Sequence, residues 1–504
     1  MADSENCGVA RHTVPGCSSG LGGGWNDGQV LSTLATSKLA LYLGIALVAI
    51  VWSIIGFGRL VAIRDRKPAT GALTVLWVVG ICPILLAVLS PRSYAVGFTN
   101  DPVAASEVDT MAGQLVTFAA WAVCLAVVLV ELGRRERRSC RFLIVSAMLF
   151  YAAPIVSGLL GDNGGFGRDL FIAPAVLLAL YMAPRPSVEQ VLNTARRVLR
   201  FYTWGSLIAL AVVPTWATYR ILMSDGSQLS RNYFGLPQII GVVPYPDILG
   251  GIAAGALVLE VAAVGRKRGW QFHAGAAASV AVLAESRTGL IAAVIGLMFL
   301  SAKSRGSGVK SSVRSRFVVV ALVGLLALLI TFVQQYAPAL LSSGADLGTV
   351  NGRTVVWQYA FDEFRHNPIL GYGPTIFSPA YRALKLGPGQ AWIGQAHNQV
   401  FQSMGESGIL GLLALAFLVG ALLFGASRAR VVTLGASTAL LAVVFIRMLT
   451  DSLLDNRGVD SGFLLVPIIF LLFLSGLSDA RSRTRVPDVP SGANLDLAGT
   501  TETR

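Results

Sequence analysis

Charged residues are scarce in this sequence: they make up 13% of its 504 positions, whereas about a quarter of a typical soluble domain is charged. Hydrophobic residues account for 54% of the chain, and its mean hydropathy is +0.65. This balance excludes an ordinary water-soluble globular protein. We therefore expect the chain to be solvated mainly by lipid.

Cysteine is also rare, and its spacing indicates neither a CxxC motif nor a dense disulfide framework. The five cysteines are Cys7, Cys17, Cys82, Cys124 and Cys140. Only Cys7 and Cys17 could pair, if the N-terminal tail is outside the cell. That tail, residues 1–36, lacks a charged segment followed by a cleavage site, so we expect a disordered tail and not a signal peptide. Residues 479–504 are predicted to form a disordered cytoplasmic tail.

Period-two alternation of apolar residues is absent, which disfavours a β-barrel. The apolar residues instead form runs of roughly 18 to 22, the length that a helix needs to cross a bilayer. The predicted fold is all-α: a polytopic transmembrane bundle over residues 37–478, with about 13 helices and a range of roughly 12 to 14. The predicted helices cover 37–58, 69–89, 111–132, 142–160, 170–184, 201–221, 248–265, 270–285, 288–302, 317–337, 405–426, 431–449 and 461–477. The runs 170–184 and 288–302 are short and could be re-entrant.

Basic residues predict the orientation of the bundle, because cytoplasmic loops are enriched in Lys and Arg. Alternate connections and the C-terminal tail hold 27 of the 40 basic residues. The N-terminus is then outside and the C-terminus inside. The net charge of +13 is explained by these clusters and by anionic lipid headgroups, so no nucleic-acid partner is expected.

Two exterior connections, 222–247 and 338–404, are too long to be simple turns. In the second, residues 354–365 alternate apolar and polar side chains with helical periodicity, which predicts an amphipathic helix that could lie along the membrane surface. A large extracytoplasmic loop containing short helices is usually functional.

Charged and polar residues stand where lipid makes them costly. Glu285-Ser286-Arg287-Thr288 separates two apolar runs, and an interfacial Arg is a candidate functional residue. The alternative is a hairpin tip whose Arg extends to the headgroups. Further along, Asn398, Gln402 and Glu406 recur every four residues beside His397 and are predicted to share one helix face. Its alternative is a helix capped by Asn and packed through its amides, with His397 as a bystander.

Four motifs occur in a fixed order: Glu285-Ser-Arg287-Thr-Gly; Gly352-Arg353 followed by Trp357; Asn367-Pro-Ile-Leu-Gly371-Tyr-Gly373; and His397-Asn398 followed by Gln402, Glu406 and Gly408. In this order, residues 280–425 resemble the O-antigen ligase and O-antigen polymerase superfamily of bacterial envelope enzymes. Upstream of residue 270 the likeness is limited to hydrophobic, helical character.

The resemblance implies an inverting, metal-independent glycosyltransferase in the bacterial cytoplasmic (inner) membrane, with an extracytoplasmic active site and no cofactor. Its partners would be a polyprenyl-pyrophosphate-linked glycan donor, a glycan or lipid acceptor, and membrane lipids. In this reading Arg287 and Arg353 hold the leaving pyrophosphate, and His397 is the general base. The implied substrate-binding residues are Asn398, Gln402, Glu406, Trp357 and Tyr372.

Three alternatives remain at this point. His366 also precedes an Asn in the same loop and is a rival for the base. Glu107 and Asp109 have the spacing of an acidic pair that binds a divalent metal in other polyprenyl-dependent glycosyltransferases. A transporter or flippase of lipid-linked glycans would also have many helices and isolated charges, although the two halves show no matching motifs. Ligase and polymerase share these motifs and differ only in the acceptor.

Overall fold

The computed structural model of the protein describes residues 70–89, 111–132, 140–161, 168–219, 221–222, 228–229, 237–262, 269–301, 353–378, 381, 384–385, 394–454 and 461–484. All of them belong to the compact unit Trp52–Arg504. The predicted helices 37–58 and 317–337, the N-terminal tail and the acidic pair Glu107 and Asp109 lie outside the described residues.

The described residues are almost entirely helical, which confirms the predicted all-α class. The helices are α1 (Thr70–Leu89), α2 (Met111–Leu132), α3 (Arg141–Leu160), α4 (Ile172–Met182), α5 (Val188–Val212), α6 (Pro246–Ala262), α7 (Trp270–Leu283), α8 (Arg287–Ser301), α9 (Arg353–His366), α10 (Gln399–Ala429), α11 (Ala436–Thr450) and α12 (Leu465–Thr484). Besides short helical turns, the described chain has one small antiparallel pair, β1 (Ile221–Leu222) and β2 (Gln228–Leu229).

Most helices begin and end within a few residues of the apolar runs, but α5 begins at Val188 and not near residue 201. A capping box starts it, in which the Ser187 side chain accepts from the Gln190 N–H and the Gln190 side chain accepts from the Ser187 N–H. Its first turns are amphipathic, so hydropathy alone does not reveal them. At the other end of the chain, α12 continues past residue 479 to Thr484.

Five of the helices in the described ranges are long and apolar enough to cross a membrane: α1, α2, α3, α10 and α12. Three shorter apolar helices, α4, α8 and α11, accompany them. The chain is therefore a multi-pass membrane protein, and the total of about 13 helices stays a prediction.

Helix α12 lies at the centre of the bundle. Of the apolar segment Ser461–Ala480, which contains most of α12, 89% is buried, whereas only 22% of the segment Gln114–Leu132 in α2 is buried. A helix that is apolar on all sides is stable only when other helices or lipid surround it. Away from this centre, α8 packs most extensively against α6 and α11. This packing brings the N-termini of α6 and α8 to the C-terminus of α11.

Helix α10 is broken at Gly408, whose backbone has φ 58° and ψ −142°. The loop after α9 supplies the backbone hydrogen bonds that the break removes. The N–H groups of Ile409 and Leu410 donate to the carbonyls of Pro368 and Ile369, at 2.8 and 3.3 Å. In return, Tyr372 N–H donates to Gly405 O at 2.8 Å, and Gly373 N–H donates to Glu406 O at 3.0 Å. We call residues 368–373 the splint, because their backbone joins the two halves of α10.

Two glycines permit this close backbone contact. A Cβ on Gly371, which has φ +66°, would lie 2.6 Å from Gly405 O and 2.8 Å from Gly408 N. A Cβ on Gly408 would lie 2.6 Å from the Ile369 carbonyl. The Ser157 hydroxyl of α3 braces the junction, because it lies within hydrogen-bond distance of both Leu370 O and Glu406 O. The Asn-Pro-Ile-Leu-Gly-Tyr-Gly and Glu-Ser-Gly motifs are therefore two sides of one contact.

We expect Gly371→Ala to lower the stability of the folded protein by at least about 1 kcal/mol, the cost of a left-handed backbone for a residue with a Cβ. The added methyl would also strike α10. The measurement is the midpoint of thermal unfolding in detergent. Gly420→Ala is the matched control, because nothing lies within 4 Å of a Cβ there. Equal midpoints for the two variants would mean that the splint does not hold α10.

Candidate active site

Polar groups gather where the ends of α6, α8, α10 and α11 meet. Arg447 of α11, only 2% exposed, donates to the carboxylate of Asp451 and to the backbone carbonyl of Asp247. Ser286 Oγ donates to Asp247 Oδ1 at 2.9 Å. A buried arginine is tolerated only when it is paired, so Arg447 ties the start of α6 to the end of α11.

Arg287 follows Ser286 at the start of α8. The turn Glu285-Ser286 is buried, with 7% and 1% exposure, so it is not a solvated hairpin tip. It packs against the first turn of α6, where Ser286 contacts Gly250. Arg287 thus directly follows the serine that is hydrogen-bonded to Asp247.

His397 is linked to this cluster by Gln395. The Gln395 side-chain amide donates to Asp451 Oδ1 at 2.9 Å, and the same nitrogen lies 3.5 Å from His397 Nδ1. A carboxylate only accepts hydrogen bonds, so the amide nitrogen must face Asp451. The nitrogen that faces Nδ1 is then also a donor. At 3.5 Å this contact is at the limit of a hydrogen bond, so it helps to orient the ring without fixing which ring nitrogen carries the hydrogen.

Burial lowers the pKa of His397 below its ordinary value of 6.5, and the nearby charge of Arg353 lowers it further, while Asp451 and Asp247 oppose the shift. The ring is therefore neutral at neutral pH and able to accept a proton. His397 also has a left-handed backbone, with φ 49°, a conformation that is uncommon outside glycine and concentrated at functional sites. The influence of Arg353 on this pKa places the two side chains near each other, and their catalytic roles stay predictions.

The segment that carries His397 is held on both sides. Trp357 of α9 donates from Nε1 to Ala396 O at 2.8 Å, and its ring stacks on Phe401 at 4.9 Å between centroids. On the other side, Ala396 N–H donates to Gln402 Oε1 at 2.7 Å. α9 therefore packs on the first half of α10. Its contact with this segment gives Trp357 a positioning role in addition to any substrate contact.

The predicted polar stripe of α10 divides into a cap and a buried pair. Asn398 is the N-cap: its side-chain oxygen accepts from the N–H groups of Val400 and Phe401. Its amide nitrogen donates to Leu449 O at 3.0 Å. Gln402 donates from Nε2 to Glu406 Oε1 at 3.0 Å, and Ser452 Oγ donates to Gln402 Oε1 at 3.3 Å. The cap formed by Asn398 agrees with the alternative in which an Asn caps the helix and amides pack it. Substrate contact by Asn398, Gln402 and Glu406 stays a prediction.

The two remaining candidates have different surroundings. Tyr372 is half-buried and packs edge-on against Tyr381 at 4.8 Å, and burial followed by the charge of Glu363 raises its pKa. His366 is exposed at the end of α9, where Nδ1 lies 2.7 Å from the Asp362 carbonyl of the same helix. The structure gives His366 no charged neighbour from another helix among the contacts described for it, in contrast to His397.

Sequence reasoning missed Arg447, Asp451, Asp247 and Gln395. One signal was available: Arg447 and Asp451 are four residues apart on an otherwise apolar helix, the spacing of a helical ion pair. Charges within an apolar helix mark functional sites. Nothing local distinguishes Gln395 or Asp247 from other exterior polar residues.

Residues 273–416 match the family model described as O-antigen ligase. The matched range includes Arg287, Arg353, His397 and the break in α10, whereas Asp247, Arg447 and Asp451 lie outside it. No curated protein sequence matches the chain significantly. The resemblance of this region to the O-antigen ligase and polymerase superfamily, drawn from the motifs, is thus confirmed by the family match over residues 273–416.

Proposed function

We propose that this protein is a glycosyltransferase that moves a glycan from a polyprenyl-pyrophosphate carrier to an acceptor hydroxyl at the outer face of the bacterial cytoplasmic membrane. The observation that carries the proposal is a neutral, half-buried His397 near Arg353, within the range that matches the O-antigen ligase family model. An alternating-access transporter or flippase is not favoured, because it gives no reason for a base and cations at one end of the bundle.

The proposed step is a displacement at the anomeric carbon of the donor sugar. The acceptor oxygen attacks this carbon, and the bond from the carbon to the pyrophosphate oxygen breaks with its electron pair on the leaving pyrophosphate. Attack from the side opposite the leaving group inverts the anomeric configuration. The hydroxyl proton passes to the imidazole ring of His397 and later leaves to water.

Arg287 and Arg353 would stabilise the pyrophosphate as its negative charge grows. A guanidinium presents parallel N–H donors that match two phosphate oxygens. Arg447 would not share this task, because Asp451 and the Asp247 carbonyl already occupy it. In the proposed mechanism it positions Asp451 and, through Gln395, the ring of His397.

The direct test is transfer by the purified protein in proteoliposomes, with a polyprenyl-pyrophosphate-linked glycan as donor. We expect transfer to continue in EDTA, because the arginines supply the charge that a metal would supply. The double variant Glu107→Ala, Asp109→Ala should keep most of the activity. Activity that is lost in EDTA and restored by magnesium or manganese would favour the acidic pair.

The proposed orientation needs the active site outside. Every residue of the cluster stands at a helix end that the distribution of basic residues predicts to be exterior. Single cysteines near residue 380 should react with a membrane-impermeant reagent in intact cells, and cysteines at 305–315 should react only after permeabilisation. The reverse pattern would contradict the proposed site of transfer.

A further inference from the structure

Helices α10 and α11 are joined by the turn 430–435 but differ in length. In this turn the Gly435 N–H donates to Arg430 O at 2.9 Å, so the two helices start from the same level. Helix α11 has 15 residues and ends at Thr450, about 22 Å from its start at helical rise. Beyond its break at Gly408, α10 consists of residues 408–429, about 33 Å. The exterior end of α11 therefore lies roughly 10 Å short of the break in α10.

Helix tilt does not remove this difference. To end at the height of an upright α11, this part of α10 would have to tilt by about 48°, beyond the range of roughly 0 to 40° for membrane helices. The chain also returns from the break to the end of α11, because Asn398 at the start of α10 donates to Leu449 O. A Cβ on Gly411 would lie 2.6 Å from Ser403 O, whereas a straight helix separates residues at this spacing by about 12 Å. The first half of α10 is therefore bent back toward the end of α11.

The missing length lies on the exterior side of the membrane. Basic residues place the shared turn at the cytoplasmic headgroups, and residues 407–427 carry no charged side chain, which is enough to cross about 30 Å of hydrocarbon. Helix α7 is short in the same way. It follows the basic run 266–268 and has 14 residues, about 21 Å, before the turn that leads to Arg287. Both helices therefore end roughly 8 to 9 Å inside a flat hydrocarbon layer.

We propose that the outer leaflet is drawn inward here, so that lipid headgroups and not hydrocarbon surround the exterior ends of α7 and α11. The charged contact of Arg447 with Asp451 lies at this end of α11, and charges beside hydrocarbon are costly, whereas a bilayer thins around a short helix at modest cost. Tyr245 supports the same level for the headgroups. It is 54% exposed and directly precedes α6, whose start accepts from Arg447 through Asp247 O, and tyrosine is enriched at the headgroup level.

The inward position of the headgroups has a consequence for the proposed transferase. A carrier pyrophosphate that moves at headgroup depth would reach the level of Arg287 while its polyprenyl chain stays in the hydrocarbon. This consequence rests on the proposed function, whereas the position of the outer leaflet rests on the helix lengths alone.

The test compares Leu449 near the end of α11 with Leu413 on α10, which are 58% and 65% exposed. Leu449 lies about 20 Å and Leu413 about 24 Å above the shared turn at helical rise, so a flat bilayer would hold Leu449 further from the outer headgroups. Each is changed to cysteine in the full chain carrying Cys7→Ala and Cys17→Ala, labelled with a fluorophore and reconstituted in bilayers. The quenchers are a phospholipid with a nitroxide on its headgroup and a phospholipid brominated in its acyl chains.

We expect the ratio of headgroup quenching to acyl-chain quenching to be at least about twofold higher for Leu449→Cys than for Leu413→Cys. Val282→Cys, 42% exposed near the end of α7, should resemble Leu449→Cys and repeats the measurement on the second short helix. The parent protein, labelled in parallel, gives the background from the buried Cys82, Cys124 and Cys140.

Two results would overturn the proposal. An equal or lower ratio at Leu449 and Val282 than at Leu413 would show a flat outer leaflet. Quenching of the Leu413 label alone would show that protein, and not lipid headgroups, covers the ends of α7 and α11. The measurement does not use transfer activity, so a flat leaflet around an active protein would leave the transferase standing, and the expected ratios in an inactive protein would support the inward leaflet and count against the transferase.

Discussion

Replacing His397 with alanine is expected to slow glycan transfer by roughly 10² to 10⁴, the usual contribution of a positioned general base. The variant should still fold, insert and bind the polyprenyl-linked donor, because the contacts that hold this segment use Ala396 and Gln395 and not the imidazole. The measurement is turnover per correctly folded molecule, with donor binding determined in parallel.

His366→Ala is the matched control for this experiment. The His366 ring is exposed and contacts only a carbonyl of its own helix among the hydrogen bonds described for it. The transfer rate of His366→Ala should therefore fall far less than that of His397→Ala. Full activity in folded His397→Ala would eliminate His397 as the base. Equal losses at the two positions would leave the assignment without support.

The role of His397 as general base determines the direction in which kcat/KM changes with pH. Only neutral His397 accepts a proton, and burial lowers its pKa. The acid limb of kcat/KM should therefore lie below pH 6.5, the ordinary value for histidine. Asp451 raises this pKa, so Asp451→Asn should move the limb to still lower pH. A limb that does not respond to Asp451→Asn would show that another group controls the profile.

Replacing either Arg287 or Arg353 with lysine is expected to slow transfer at least about tenfold, which corresponds to 1.4 kcal/mol of transition-state stabilisation. Lysine keeps the charge but loses the planar pair of N–H donors that fits two phosphate oxygens. The assay is single-turnover transfer at saturating donor, which removes differences in donor affinity.

Arg365→Lys provides the control, because Arg365 is an exposed residue at the opposite end of the helix that begins with Arg353. Its transfer rate should match the wild type. Near-normal rates in both Arg287→Lys and Arg353→Lys would show that neither residue grips the pyrophosphate through two hydrogen bonds.

The sequence was sufficient for the helices but not for the way they end. Hydropathy placed α3, α8 and α11 to within a few residues because lipid imposes both length and composition on a crossing helix. It missed the first turns of α5, where the cue is the Ser187–Gln190 capping box and not hydropathy. It also gave no sign of the break at Gly408, since the compensating hydrogen bonds come from backbone more than thirty residues earlier.

The candidate site shows the same division. His397 and Arg353 stood in recognisable motifs, and the structure brings them together. Arg447, Asp451 and Gln395 joined them only in three dimensions, because their role depends on which helix ends meet. Helical periodicity also predicted that Asn398, Gln402 and Glu406 form one polar stripe. In the structure Asn398 caps the helix, and Gln402 and Glu406 form a buried hydrogen-bonded pair.

The splint has a consequence for how the protein is made. Residues 368–373 are synthesised before α10, yet the N–H groups of Ile409 and Leu410 depend on them for partners. An unpaired N–H in hydrocarbon costs several kcal/mol. With the exterior orientation that the basic residues predict, we expect this loop to cross the membrane and fold before α10 reaches its final depth, so that translocation comes first and helix completion second.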